Sequence, residues 1–141
     1  MCYPEKLLRG ISNTEYIDES GRVSASLFQF GDTVREDGFS EASINWLDDE
    51  SAIECTMNQL KKDGNIQFKA GVAVLPRNWI DTLMRQPTGS GVLSYERAQL
   101  EGNLYHGNLL RKDDVINKQI KNVIAASIAM GVERIISRPS N

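Results

Sequence analysis

Residues 66–75 read Ile-Gln-Phe-Lys-Ala-Gly-Val-Ala-Val-Leu and are the most strand-like run in this 141-residue chain. The second half, residues 71–75, is apolar at every position, which is typical of a central strand covered on both faces. Pro76 ends the run and favours the first turn of a short helix that would hold Trp79, Ile80 and Leu83. The pattern therefore predicts a buried strand followed directly by a helix.

Further strands are predicted on both sides of this run. Apolar or alternating segments occur at residues 7–12, 22–30, 42–47, 92–98, 104–111 and 132–136. A hairpin is expected around Glu101-Gly102-Asn103, because short turns rich in glycine and asparagine join antiparallel strands. Residues 31–40 contain three acids and two glycines and are predicted to form a solvated loop.

Two main helices are predicted from their capping residues and apolar spacing. Residues 48–51, Asp-Asp-Glu-Ser, favour a helix start, and Gly64 would end that helix after Ile53, Met57 and Leu60. Asp113 and Asp114 are predicted to cap a second helix that Gly131 closes. The apolar stripe of this second helix consists of Ile116, Ile120, Val123, Ile124 and Ile128.

The order of these elements predicts an α+β fold in a single domain. We expect a mixed, largely antiparallel sheet with two main helices and one short helix. The domain is predicted to span residues 1–136, and residues 137–141 are predicted to form a flexible tail. A chain of this length can bury a sizeable core without disulfides or a structural metal.

Composition excludes several classes of protein. No apolar stretch approaches the roughly 20 residues of a membrane span, and charged residues interrupt the first twenty positions. Cys2 and Cys55 do not make a disulfide framework, and with His106 they are too few for a typical zinc site. We therefore expect a cytoplasmic protein with no membrane association, no metal and no cofactor.

Charge is unevenly distributed along the chain. The net charge is −3, with −6 in residues 1–70 and +3 in residues 71–141. An acidic first half disfavours nonspecific nucleic-acid binding over the whole surface, so no nucleic-acid partner is expected. The net positive charge of the second half is compatible with a local basic patch there.

His106, the single histidine, lies among amide, phenol and glycine side chains in residues 103–108, Asn-Leu-Tyr-His-Gly-Asn. An imidazole gives and takes protons near neutral pH, so His106 is the candidate catalytic residue for proton transfer. The alternative is a hairpin histidine that hydrogen bonds to the backbone.

Arg9 is the candidate anion-binding residue, because a guanidinium within a short apolar run can direct its planar fork at a phosphate or carboxylate. Gly10 beside it would allow close backbone approach. The alternative is a structural ion pair with Glu15, Asp18 or Asp48. If the sheet gathers Arg9, Ser24, Ser26, Ser43 and His106 on one face, they would make a polar cleft that suits an anion. In that cleft Ser43 and Asn103 would orient the ligand that Arg9 holds.

Several motifs together resemble a group of short uncharacterised bacterial proteins. These motifs are Leu-Leu-Arg-Gly-Ile at 7–11, Asp-x-x-Gly-x-Val-Ser-x-Ser-x-Phe at 18–28, Ser-Ile-Asn-Trp at 43–46 and Asn103-x-x-His106 before a C-terminal helix. The resemblance covers most of the chain and implies no particular activity.

Arg9-Gly10 and Ser24-x-Ser26 also resemble the first-strand arginine and the Ser-x-Ser motif of arginine-type ADP-ribosyltransferases. That resemblance implies NAD bound in a split antiparallel sheet, with Arg9 on the phosphates and the two serines shaping the nicotinamide site. The Glu-x-Glu motif of those enzymes does not occur in this chain, and the spacing from Arg9 to Ser24 is shorter.

The leading expectation is a polar pocket near Arg9 and His106 that binds or processes a small molecule bearing a phosphate or carboxylate. Whether the ligand is turned over is left open, as is the oligomeric state. The main alternative is a protein-interaction module of a bacterial gene pair, whose acidic first half meets a basic partner. An NAD-using protein similar to the ADP-ribosyltransferases is the lesser alternative.

Overall fold

The structure is a computed structural model that describes residues 3–138, and it confirms the α+β fold. Its strands are β1 (Lys6–Ile11), β2 (Phe39–Trp46), β3 (Gly71–Pro76), β4 (Leu93–Arg97), β5 (His106–Lys112) and β6 (Arg134–Ile136). Its α-helices are α1 (Ser51–Met57), α2 (Arg77–Met84) and α3 (Lys118–Ala129), and short 3-10 helices form at Thr14–Tyr16, Ala25–Phe28 and Asp113–Val115. The strands make one sheet in the order β4-β5-β2-β1-β3-β6, and every neighbouring pair is antiparallel.

Strand β3 is buried on both faces, as its sequence predicts. Ala73 and Leu75 pack into the larger core cluster, whereas Val72 and Val74 belong to a smaller cluster on the opposite face. All four side chains are fully buried. The helix predicted after this strand is α2, which begins at Arg77 directly after Pro76.

The two faces of the sheet are covered unequally. The larger core cluster lies on one face, where α2, α3 and the Ala25–Phe28 helix contribute Ile80, Ile124 and Phe28. On the other face α1 contributes Ala52 to a cluster with only three other buried members, which come from β1 and β3. The rest of that second face therefore remains free to carry polar side chains.

These polar side chains come from β2 and β5. Antiparallel register pairs Ser43 with Asn108 and Asn45 with His106. Alternation along each strand places these four side chains on the face that α1 covers only in part. Ser43 and His106 of the candidate site lie on this polar part of the sheet, whereas Arg9 alternates with Leu8 and therefore shares the opposite face with Leu7 and Ile11.

Residues 22–30 do not form the predicted strand. Val23 makes an isolated bridge with Ile17, and a 3-10 helix follows at Ala25–Phe28. Leu27 and Phe28 are neighbours in sequence and both are buried in the same core cluster. An alternating strand would direct one of them away from that core, so the prediction was wrong because burial overrode a weak alternation.

The predicted strand at 66–75 is also shorter in the structure. Residues 66–70 precede β3, and Ile66 forms only an isolated bridge with Leu60. Gly71 begins β3 with a φ of +123°, a conformation that favours glycine. The hairpin between β4 and β5 is confirmed, with Leu100 bridged to Asn103 around Gly102.

Both main helices begin or end differently from the prediction. Helix α1 ends at Met57, so Leu60 lies outside it and is 57% exposed. Asn117 caps α3, because its side chain accepts from the backbone N–H of Ile120 at 2.9 Å. Asp113 instead accepts two hydrogen bonds from Arg111, and Val123 is exposed rather than part of the buried stripe.

The C-terminal prediction falls partly beyond the structure. Strand β6 confirms a short last strand within residues 132–136, whereas residues 139–141 of the predicted tail and Cys2 lie outside the described residues. Across residues 3–138, no helix has both the length and the apolar character needed to cross a membrane.

Gly107 in β5 occupies a position where no side chain fits. A β-carbon there would lie 2.3 Å from Nε1 of Trp46 and 2.5 Å from the backbone oxygen of Glu96. These two atoms form a hydrogen bond of 3.1 Å across the glycine. We expect Gly107→Ala to lower the free energy of unfolding by about 1–3 kcal/mol, measured by urea denaturation.

Gly31→Ala is the matched control for this substitution. The nearest atom to a β-carbon at Gly31 would be the Glu41 oxygen at 3.6 Å, which is an ordinary contact. An equal loss of stability in both variants would contradict the steric explanation at Gly107.

Candidate functional site

The candidate site begins where β1 and β2 separate. The two strands pair only at Leu7 with Trp46 and at Leu8 with Asn45. In contrast, β1 pairs with β3 along its whole length. A cleft of about 810 Å³ opens beside the unpaired part of β1 and β2.

All four residues that the sequence analysis assigned to a site line this one cleft. They come from separate parts of the chain: Arg9 from β1, Ser43 from β2, His106 from β5 and Asn103 from the turn before it. The fold thus brings these residues together, while their roles toward a ligand remain predictions.

Arg9 occupies the gap between the separated strands. Its Nη1 donates to the backbone oxygen of Ser43 at 2.6 Å. Its Nε donates to the backbone oxygen of Leu27 at 3.0 Å, and its Nη2 donates to that of Gln29 at 3.4 Å. The guanidinium therefore connects β1 both to β2 and to the segment around the Ala25–Phe28 helix.

The alternative prediction, a structural ion pair between Arg9 and a carboxylate, is wrong. Among residues 3–138, no carboxylate lies within ion-pairing distance of Arg9. Asp48 pairs instead with Arg97 at 2.7 Å, and the Asp18 carboxylate accepts from Ser20 and from the backbone of Arg22. The three bonds to carbonyl oxygens hold Arg9 without neutralising its charge.

The electrostatics of Arg9 favour an anion. Burial lowers the pKa of Arg9, yet a guanidinium remains protonated at neutral pH. A guanidinium has five N–H groups, of which three are used, so two on the terminal nitrogens remain. The bonds of those two terminal nitrogens are exposed, whereas the Nε bond is half-buried, and Arg9 itself lines the cleft.

His106 lines the cleft as a half-buried side chain. Burial lowers its pKa, although the nearby charges of Glu41 and Glu96 oppose this shift. No hydrogen bond to its imidazole is formed by any of the residues that the structure describes. The imidazole is therefore neutral at pH 7 and available to donate or accept one hydrogen bond.

An acidic and amide cluster lies beside His106. Asn108 donates to Glu41 at 2.7 Å and to Glu96 at 2.8 Å. Arg35 pairs with Glu96 at 3.0 Å and with Asp37 at 2.7 Å. These contacts fix the two glutamates at the sheet surface next to the imidazole.

The side chains of Ser43 and Asn103 are held differently. Ser43 is exposed in the cleft, and its backbone oxygen is the one that Arg9 binds. The Asn103 amide donates to Asn45 at 2.9 Å and accepts from the Tyr105 backbone N–H at 3.1 Å. Asn103 thus holds the turn before β5 in place, with one amide N–H left for a ligand.

Other residues that line the cleft were not predicted from the sequence. The ring of Phe68 packs against Gly10, where a β-carbon would lie 2.2 Å from the ring. Gln59 donates to the Gln67 side chain at 3.3 Å, and both also line the cleft. Gly10 was the only sequence signal for this part, because a glycine beside Arg9 indicated a close approach.

The two serines of the Ser-x-Ser motif lie near the same cleft but not on a strand. Ser26 lines the cleft from the Ala25–Phe28 helix, and its hydroxyl bonds to that of Ser24 at 2.6 Å. Ser24 precedes this helix and does not line the cleft.

Neither metal ligands nor known proteins indicate what the cleft binds. Within the described part of the chain, no group of three or more His, Cys, Asp or Glu side chains is arranged to hold a metal ion. Comparisons of the chain with protein-family models, curated proteins and solved structures each found no match.

His106 gives an unambiguous titration, since it is the single histidine of the chain. We expect its pKa to lie below the ordinary value of 6.5, because burial disfavours the charged imidazolium. The stability that the neutral form contributes is then present above pH 6.5 and is lost as the pH falls through the folded-state pKa. NMR titration of the imidazole protons measures this, and a pKa at or above 6.5 would contradict it.

Arg9 is expected to stabilise the fold as well as the cleft. Arg9→Met removes the donor for the backbone oxygens of Leu27, Gln29 and Ser43. The Leu27 bond is half-buried, so the free energy of unfolding should fall by about 1–3 kcal/mol. Urea denaturation tests this, with Arg85→Met at an exposed helix end as the control. A loss no greater than that of the control would contradict the bracing role.

Proposed function

We propose that the cleft binds a small molecule carrying a phosphate or carboxylate group, which docks against Arg9. The observation that supports this most directly is a guanidinium at the wall of an open cleft with no carboxylate partner among residues 3–138. A guanidinium presents parallel N–H donors that match two oxygens of a phosphate or carboxylate. Each guanidinium nitrogen already donates one N–H to a backbone oxygen, so the ligand would bond to the second N–H of Nη1 and of Nη2.

The rest of the cleft suits such a ligand. Its volume of about 810 Å³ lies within the usual range of small-molecule sites. His106 supplies a neutral imidazole that can bond to the ligand, and it is the proton acceptor should the ligand be turned over. Ser43 adds a hydroxyl, and Phe68 adds an aromatic surface. The cleft thus combines one anion-binding group with hydrogen-bonding and apolar walls, and Glu101 is the acidic residue of its lining.

NAD is a second candidate ligand, supported by one specific observation. The separation of β1 and β2 at Arg9, in an antiparallel sheet, is the arrangement that the resemblance to ADP-ribosyltransferases implies. Ser26 lies in the cleft, whereas Ser24 does not, and the Glu-x-Glu motif is absent. NAD binding is therefore proposed separately from ADP-ribosyl transfer.

The protein-interaction alternative receives less support from the acidic segment after β2. Asp48 forms a two-pronged ion pair with Arg97, at 2.7 and 2.9 Å. Asp49 accepts a hydrogen bond from the Tyr105 hydroxyl at 3.0 Å. These carboxylates already have partners within the chain, which weakens their attraction for a basic partner protein.

A thermal-shift screen tests the proposal. The screen measures the Tm of four proteins with nucleotides, NAD, sugar phosphates and small carboxylates. The four proteins are the wild type, Arg9→Lys, His106→Gln and the control Arg85→Lys. A ligand at about one hundred times its Kd raises the free energy of unfolding by about 2.7 kcal/mol, which gives a measurable shift in Tm. We expect a shift in wild type and Arg85→Lys that shrinks in Arg9→Lys and His106→Gln.

Two outcomes would overturn the proposal. One is that no compound of the screen shifts the Tm of wild type, and the other is that Arg9→Lys keeps the full shift. A shift with NAD but not with sugar phosphates or carboxylates would favour the second candidate over the first.

A further inference from the structure

A second cleft continues from the one that contains Arg9. Ser12 and Gln67 line both clefts and therefore form a wall that the two share. The second cleft has a volume of about 530 Å³. It is formed where the chain leaves β1 and where it approaches β3, and its lining residues are Ser12, Asn13, Thr14, Lys61, Gln67, Lys69 and Ala70.

Two cationic side chains line this second cleft. Its lining contains Lys61 and Lys69, and no acidic residue of the described chain is part of that lining. Lys61 forms an ion pair with Asp63 at 3.8 Å, whereas Lys69 has no carboxylate within 4 Å among residues 3–138. The pKa of Asp63 is lowered by the Asn65 backbone N–H and also by the charges of Lys61 and Lys69. Both lysines are exposed, so their ammonium groups are accessible to a ligand. The first cleft differs, because Glu101 is among its lining residues.

The wall that the two clefts share lies close to Arg9 along the chain. Arg9 lies on β1, and Ser12 of the second cleft follows three residues later. A strand rises about 3.3 Å per residue, so the backbone of Ser12, one residue beyond β1, lies no more than about 10 Å from that of Arg9. Gln59 and Gln67 lie in the first cleft, Gln67 at its junction with the second, and present amide groups to the space between.

We propose that the two clefts form one elongated site for a small molecule with an anionic group at each end. One anionic group docks on the Arg9 guanidinium, and the other lies near Lys61 and Lys69. The amide side chains between them bond to hydroxyl groups in the middle of the ligand, as in a sugar bisphosphate. This inference rests on the proposed function of the first cleft and extends it to a class of ligand.

Matched pairs of probes test the elongated site by calorimetry. Fructose 1,6-bisphosphate is compared with fructose 6-phosphate, and the dicarboxylate suberate with the monocarboxylate octanoate. The wild-type protein should bind the doubly charged member of at least one pair about fivefold more tightly or better, the gain expected from one favourable exposed ion pair. The pair that shows the preference distinguishes phosphate from carboxylate.

Lysine variants assign that preference to the second cleft. Lys69→Gln and Lys61→Gln should reduce the affinity for the doubly charged probe and leave that for the singly charged probe unchanged. Lys62→Gln is the matched control, because Lys62 is exposed, adjacent to Lys61 and outside both linings. All three sites are exposed, so the variants are expected to fold.

The outcomes separate this inference from the proposed function. If singly charged probes bind and the second charge adds no affinity, the elongated site is wrong and the function of the first cleft stands. If Lys62→Gln weakens binding as much as Lys69→Gln, the effect is one of overall charge and the elongated site is also wrong. If no probe binds the wild-type protein, both proposals are wrong.

Discussion

The three hydrogen bonds of the Arg9 guanidinium to backbone oxygens are the contacts on which the candidate site depends. Pairing between β1 and β2 stops after two residue pairs, so the Ser43 carbonyl has no backbone partner in β1. Buried and half-buried carbonyl groups need donors, and Arg9 supplies them to Ser43, Leu27 and Gln29. The side chain that keeps the strands connected across the opening is thus also the cation at the wall of the cleft.

The unequal covering of the sheet explains how a small domain provides both a stable core and an open polar surface. The larger cluster on one face contains most of the buried apolar side chains, including Trp46 and Phe28. The smaller cluster under α1 covers only part of the other face. Residues on rigid strands are therefore presented to solvent without loss of the core that fixes their positions, which suits a preorganised binding site.

The charged side chains in and beside the first cleft differ in whether they have partners within the protein. Arg9 carries the positive charge of the first cleft, and His106 is held neutral by burial. Glu41 and Glu96 lie close enough to oppose the pKa shift of His106, but Asn108 bonds to the Oε2 atom of each and Arg35 pairs with that of Glu96. The carboxylates next to the imidazole are thus bound within the protein, whereas the guanidinium retains N–H groups for a ligand.

The amino-acid sequence by itself determined the α+β class, the buried strand at 71–75, the helix after Pro76 and the hairpin before His106, because local patterns of apolar residues, glycine and proline specify such elements. It also singled out Arg9 and His106 as unusual in their surroundings. Only the tertiary structure decided that they line one cleft, that carbonyl groups rather than carboxylates hold Arg9, and that Phe68 and Gln67 join them. Those features depend on which distant segments meet, and that is set by strand order and core packing rather than by any local pattern.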